Sequence, residues 1–245
     1  MINRTFKLLV IVAVLFIAGL FSYTYLNRNN FNKNSYIEVK GSGAIDFESD
    51  HVVWEGYYSA KNKNLSEAFD LLSQHNEIVR SFLTQKSIKE DEIVFGPIET
   101  TRQTKNIYNN SGNYVGEEFQ YYSLQQNITI ESSEIKKIEN VSREITEVLD
   151  QGVEFYSYPP RYYYTKLEDL KLDLIDKATI DAKRRAELIA KQTDVSLKIV
   201  KSAEMGILQI IGKNSGEDFT WSGAYNTSSK QKTASMNMNL VYEIE

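Results

Sequence analysis

The 245-residue sequence contains no cysteine. That excludes disulfide bracing, thiolate catalysis and cysteine-bound metals, so the fold rests on packing alone. Imidazole is almost as scarce, since His51 and His75 are the only two histidines. A metal centre needs three or four ligands, and neither histidine has the others nearby in sequence. His75 falls in the apolar stripe of a predicted helix and reads as a core residue. Proline occurs three times, which leaves long strands and helices uninterrupted. Basic residues are outnumbered, 28 Lys and Arg against 33 Asp and Glu. Arg4, Lys7 and Arg28 all lie at the amino-terminal end, so the remainder is more acidic than the formal −5 of the whole chain. A partner bound through its phosphates needs the opposite balance, which argues against nucleic acid and anionic lipid.

What is present begins with an apolar run. Leu8 to Phe21 is interrupted only by Gly19, and Ser22 to Leu26 extends it to roughly the 20 residues a membrane helix needs. Arg4 and Lys7 precede it, and Ser22-Tyr23-Thr24 is a poor match to a signal-peptide cleavage site. The sequence therefore predicts a cytoplasmic amino terminus (1–7), a single transmembrane signal anchor (8–26) and an Asn-rich linker (27–34). An extracytoplasmic domain (35–245) follows, in the periplasm if the organism is a diderm bacterium.

Within that domain Ile37, Val39, Gly41, Gly43, Ile45 and Phe47 alternate with polar residues as a half-buried strand does. His51 to Lys61 reads as a second strand that pairs with the first across Ser49-Asp50. Asn64 and Glu67 resemble a capping box ahead of a helix of about 20 residues. Ile93 to Tyr108 and Tyr114 to Ile130 flank Asn109-Asn110-Ser111-Gly112-Asn113 as a long hairpin, with Pro97 at an edge or bulge. Ser133 is placed to cap a helix with the stripe Ile135, Ile138, Val141, Ile145 and Val148. Short strands on either side of Pro159-Pro160 lead to a long helix, Lys166 to Gln192, striped by Leu167, Leu170, Leu174, Ala178, Ala182, Ala186 and Ile189. The shift from Leu to Ala predicts close packing of its second half. Strands return at Ser196 to Ser202 and Met205 to Ile211. After a polar loop, Lys213 to Ser229, the alternation Ala234, Met236, Met238, Leu240, Tyr242 and Ile244 closes the chain. The fold class this predicts is α+β, with long antiparallel or mixed sheets, helices packed on one face and two βαββ-like halves.

No catalytic constellation stands out. Ser42 between Gly41 and Gly43 lies in a strand rather than ahead of a helix, so it lacks the context of a nucleophile or phosphate loop. The acid pairs Asp91-Glu92 and Glu217-Asp218 sit in predicted loops as solvated turn residues, not across a cleft. Tyr156, Tyr158, Tyr162, Tyr163 and Tyr164, together with Phe219, Trp221 and Tyr225, are the candidate interface residues, because loop aromatics anchor contacts. The expectation is a protein without catalytic, cofactor or metal site. The alternatives are a carboxylate- and serine-dependent hydrolase or a small-ligand-binding envelope protein.

Two stretches carry a family resemblance. Ile37-Glu-Val-Lys-Gly-Ser-Gly-Ala-Ile-Asp-Phe-Glu-Ser-Asp50, followed by Ala68 and a helix ending in Leu83-x-x-x-x-Ile88, resembles the opening strand, turn and first helix of SIMPL-domain proteins. Ala178-Thr-Ile-Asp-Ala182-Lys-Arg-Arg-Ala186-Glu-Leu-Ile-Ala190 resembles their Ala-rich helix. It leads through Val195-x-Leu197, Val200, Ala203-Glu204 and Tyr225-x-Thr227-Ser228 to the alternating last strand. Ser49 stands where the family usually has Pro, and Asp194 where it has Gly. The resemblance implies an export-side, self-associating homo-oligomer, ring-like or channel-like in some members. The group includes periplasmic proteins linked to oxidative-stress defence, and it implies no catalytic residues.

Overall fold

The computed structural model describes residues 13–25 and 35–245. The fold is α+β, with two antiparallel sheets and four helices. The helices are α1 (13–25), α2 (Leu65–Gln85), α3 (Ile135–Glu144) and α4 (Leu167–Gln192). The strands are β1 (Tyr36–Glu48), β2 (His51–Asn62), β3 (Ile93–Tyr108), β4 (Tyr114–Ser132), β5 (Glu154–Ser157), β6 (Arg161–Tyr163), β7 (Leu197–Met205), β8 (Gln209–Gly212) and β9 (Gln231–Ile244). One sheet has the order β1-β9-β7 with β8 also on β9. The other has the order β3-β4-β2-β5 with β6 also on β2. The chain divides into two compact units, yet not as successive halves. One comprises Met1–Ala44, Asp173–Ile207 and Met236–Glu245, and the other Ile45–Leu172 and Leu208–Ser235.

The predicted anchor is described only over 13–25, where it is helical. Residues 8–12 and 26, like the expected cytoplasmic residues 1–7 and the linker 27–34, lie outside the described residues. Among the described residues no helix is long and apolar enough to cross a membrane.

In the smaller unit, β1 buries Ile37, Val39, Gly41 and Gly43 on one face, the alternation the sequence predicts. Ala178, Ala182, Ala186 and Ala190 of α4 pack on that face with Met238, Leu240 and Tyr242. The stripe therefore ends on Ala190 rather than Ile189, which is exposed. The glycines set the distance of approach: a Cβ at Gly41 would lie 2.2 Å from the Ala178 carbonyl oxygen and 2.4 Å from the Ala182 nitrogen. The Ser42 N–H donates to Asp181 Oδ2 at 2.9 Å and ties strand to helix. α4 ends with Val195 N–H bonding back to the Ala190 carbonyl at 3.1 Å, across Asp194 at a left-handed φ of 55°. The position where the resemblance has Gly is thus one that favours Gly.

The larger unit is built on β2 and β4, paired from Val52↔Ser132 to Asn62↔Tyr122. One face of this ladder carries Val52, Trp54, Tyr58, Leu124, Ile128 and Ile130, and α2 and α3 cover it with Leu72, Val79, Leu83, Ile138 and Val141. The expected pairing of β1 with β2 does not form, because each strand finds its neighbours in a different sheet. The turn between them is held from outside instead: Ser49 N–H donates to the Lys230 carbonyl and Asp50 N–H to that of Tyr163. Asn64 caps α2 by accepting from Ser66 N–H at 2.9 Å. The return bond to the Asn64 N–H comes from Asn62 Oδ1, not from Glu67. α3 starts after Glu134 with no side-chain cap, so Ser133 does not cap it; the Ser132 hydroxyl accepts from Glu134 N–H at 3.0 Å just ahead of the helix. The β3–β4 hairpin forms as predicted, and Pro97 sits in its first bulge, between Phe95 and Ile98.

The contact between β1 and α4 tolerates no added carbon, so Gly41→Ala is expected to destabilise the protein by about 3 kcal/mol in urea unfolding. Asp194→Gly, which relieves the left-handed backbone, is expected to stabilise it by about 1 kcal/mol.

Candidate functional site

β9 continues its alternation one step further than an apolar pattern reveals. Lys232 is in phase with Ala234, Met236, Met238, Leu240 and Tyr242, and its side chain is turned inward with the residue only 1% exposed. The Nζ donates to the Tyr162 carbonyl at 2.5 Å and lies 5.6 Å from the centroid of the Tyr225 ring. Among the described residues no carboxylate pairs with it. Burial alone pushes the amine down to about 8 from its ordinary 10.5.

Two of the aromatic groups meet here. Tyr162 N–H donates to the Thr227 carbonyl at 2.7 Å. Its hydroxyl donates to Glu139 at 3.0 Å, and burial, with that carboxylate beside it, pushes the phenol up to about 12. The Tyr163 ring lies 6.4 Å from that of Tyr225. The other candidates do not join them. Tyr156 stacks on Tyr57 at 4.7 Å, Tyr158 tilts against the same ring at 6.1 Å, and Tyr164 packs on Phe47 at 4.7 Å.

Phe219 and Trp221 project outward, and Trp221 is 96% exposed. The loop that carries them is nonetheless fixed from beneath. The Gln209 side chain is buried. Its Oε1 accepts from Thr220 N–H at 3.2 Å and Ala224 N–H at 2.9 Å, and its Nε2 donates to the Thr220 carbonyl at 2.8 Å. A tight turn closes from Gly223 N–H to the Thr220 carbonyl at 3.2 Å, with Trp221 at its first corner. Glu217 is part of the same frame rather than a solvated turn acid: it accepts from Gly212 N–H at 3.0 Å and from the Asn226 amide. Sequence pattern flagged the aromatics, read Glu217 as a turn acid and passed over Gln209 and Lys232. For Lys232 the signal was the period of two itself, which makes position 232 an inward one.

The other chemically suggestive residues are structurally engaged. Asp181, beside Ser42, is held below the usual carboxylate range by the Ser42 N–H and by Arg185, which makes it a weak base for any serine chemistry. His75 Nδ1–H donates to the Ser59 carbonyl at 3.0 Å, and burial lowers its pKa. Among the described residues no group of three or more His, Asp or Glu side chains is placed to hold a metal ion. A cavity of about 530 Å³ has Glu48, Asp50 and Glu134 in its wall alongside Lys136, Lys137 and Lys230. Its acids are already occupied, Glu48 by Lys230 at 3.2 Å and Asp50 by Thr165 at 2.8 Å.

A family model, SIMPL, described as a protein of unknown function (DUF541), matches residues 37–242. No curated protein matches the chain.

The lysine carries a stability signature. Between pH 8 and 10.5 the unfolded chain holds a proton at Lys232 that the folded one has released, so stability rises with pH across that window. Below pH 8 both states are protonated and the full desolvation penalty applies. Lys232→Met is expected to abolish the rise and to stabilise the protein at pH 7 by about 2 kcal/mol, the relief of desolvation less the lost hydrogen bond. Urea titrations across pH measure both. A variant that is destabilised at pH 7 and keeps the rise would contradict the burial of an unpaired amine.

Proposed function

The chain belongs to the SIMPL family, and from that premise we propose a non-catalytic, membrane-tethered domain that acts outside the cytoplasm by associating with further copies of itself or with another envelope protein. The observation that carries the reading is Trp221. Its indole is 96% exposed and stands on a turn whose two ends are clamped by a single buried glutamine. A preordered aromatic protrusion loses little entropy on docking, which is the property of an interface anchor.

Support for the tether comes from the amino-terminal segment. In α1 the successive residues Val14, Leu15, Phe16 and Ile17 are all exposed, as are Leu20 and Phe21. A helix on a protein surface buries one apolar stripe, whereas one apolar on every side needs an apolar surrounding. With residues 8–12 it has the composition of a bilayer span, and Arg4 and Lys7 on its amino-terminal side favour a cytoplasmic amino terminus, with the folded part across the membrane. In a diderm bacterium that compartment is the periplasm. The absence of catalysis is supported by the engagement of Asp181, Glu217 and His75 in structural bonds.

Light scattering on the full chain in mild detergent, over a range of concentrations, is expected to give a discrete oligomer. Phe219→Ala with Trp221→Ala is expected to weaken association about tenfold or more. A wild-type monomer at every concentration would overturn self-association and leave a different envelope protein as the partner. An oligomer unmoved by the double substitution would remove this loop from the interface.

A further inference from the structure

The sheet of the larger unit narrows where β2 ends. Asn62 lies opposite Tyr122, while β3 and β4 run on together to Tyr108 and Tyr114. Residues 103–121 therefore form a two-stranded arm with no third strand among the described residues. Such a ribbon is marginal in water by itself. Its apolar side chains are left outside: Tyr108 is 58% and Tyr114 56% exposed, with Ile107 and Val115 beside them. Among the described residues no strand pairs with the outer edge of β3 either. Bulges usually blunt such edges, but here they spare it. The Gly96-Pro97 bulge precedes Ile98, and the two later register shifts, at Gln103/Thr104 and Ile107/Tyr108, place the extra residue in β4. Ile98–Tyr108 is consequently a regular, proline-free and glycine-free strand edge with no partner among the described residues.

We infer that this edge pairs antiparallel with the same edge of a second copy, about a twofold axis at Gln103. The register follows from overlap, because Gln103 is the midpoint of Ile98–Tyr108. Full overlap sets Tyr108 opposite the second copy's Ile98, with both side chains on one face. Ile98 lines a groove of about 640 Å³ with Leu65, Phe69 and Leu124, and it is unfilled within the chain. The tyrosine of each copy thus arrives at the mouth of the other's groove. The same register places Glu99 diagonal to the second copy's Lys105 on a shared face, roughly 7–8 Å apart between backbones and within reach of long side chains. The twofold axis repeats that pair. Pairing along the whole segment forms on the order of ten backbone hydrogen bonds, the number a standard interface carries. The occupant is a second copy because the groove, the charges and the free edge match under one symmetry operation.

This inference rests on the self-association reading and adds to it a second surface, apart from the Trp221 loop. Since the chain has no cysteine, Gln103→Cys in the full chain introduces a single thiol, which the axis brings opposite its own copy. With the variant shown to be oligomeric in detergent by light scattering, mild oxidation is expected to yield disulfide-linked dimer at least tenfold faster than Leu188→Cys on the exposed face of α4. An oligomer in which Gln103→Cys links no faster than Leu188→Cys overturns the β3 pairing and leaves the association reading standing. A monomer, with no dimer at either position, overturns both.

Discussion

Backbone hydrogen bonding along β4 is the interaction on which the larger unit depends. From Tyr122 to Ser132 each residue of that strand has β2 on one side, and β3 follows it on the other from Ile93 to Tyr108. Where both neighbours are present, one face collects the buried Leu124, Ile128 and Ile130 and the helices α2 and α3 seal it. Where β2 stops, nothing among the described residues covers the face, and Ile107, Tyr108, Tyr114 and Val115 are exposed. The arm is thus the direct result of strands of unequal length, 12 residues in β2 against 16 in β3 and 19 in β4.

Around that ladder, buried polar groups define positions more than they add stability. Gln209 replaces a missing stretch of strand by offering both amide atoms to Thr220 and Ala224. Lys232 holds the Tyr162 carbonyl from within the core, at a cost of about 3 kcal/mol in depressed basicity. Tyr162 in turn receives the Thr227 carbonyl on its N–H, so the segment after the aromatic loop and the strand beside β2 are fixed to each other. A loop with this much internal bonding presents Trp221 in one orientation. That is the physical basis for reading it as an anchor rather than as a mobile tip.

What was legible in the sequence is what depends on local period and turn chemistry. The alternation of β1, the Ala stripe of α4 and the β3–β4 hairpin are all read from neighbouring residues. The Asn109 turn belongs with them, since its Oδ1 accepts from Ser111 and Asn113 N–H. The resemblance to the SIMPL family was legible for the same reason, resting on strand glycines and helix alanines that now prove to be in contact. Pairing partners were not legible. His51 to Lys61 follows β1 after two residues, yet its neighbour is β4, because strand choice is decided by non-local burial that spacing does not encode. Nor was the assembly of the aromatic groups, since Tyr225 is far in sequence from Tyr162 and Tyr163, while adjacent Tyr163 and Tyr164 have different ring partners. Lys232 was hidden by its charge, which reads as outward until the period of the strand is extended to it.

The strand edge, the arm and the preordered aromatic loop of the larger unit are the features on which the proposed association rests. Hydrogen exchange resolved to single amides over Ile98–Tyr108, measured across a range of protein concentrations, tests this most directly. The amides of β3 that do not face β4 are expected to exchange freely in dilute protein and to become protected as concentration rises, while those of β2 stay unchanged. Outward amides that exchange equally fast at every concentration would contradict the account and leave the arm as a solvent-exposed hairpin.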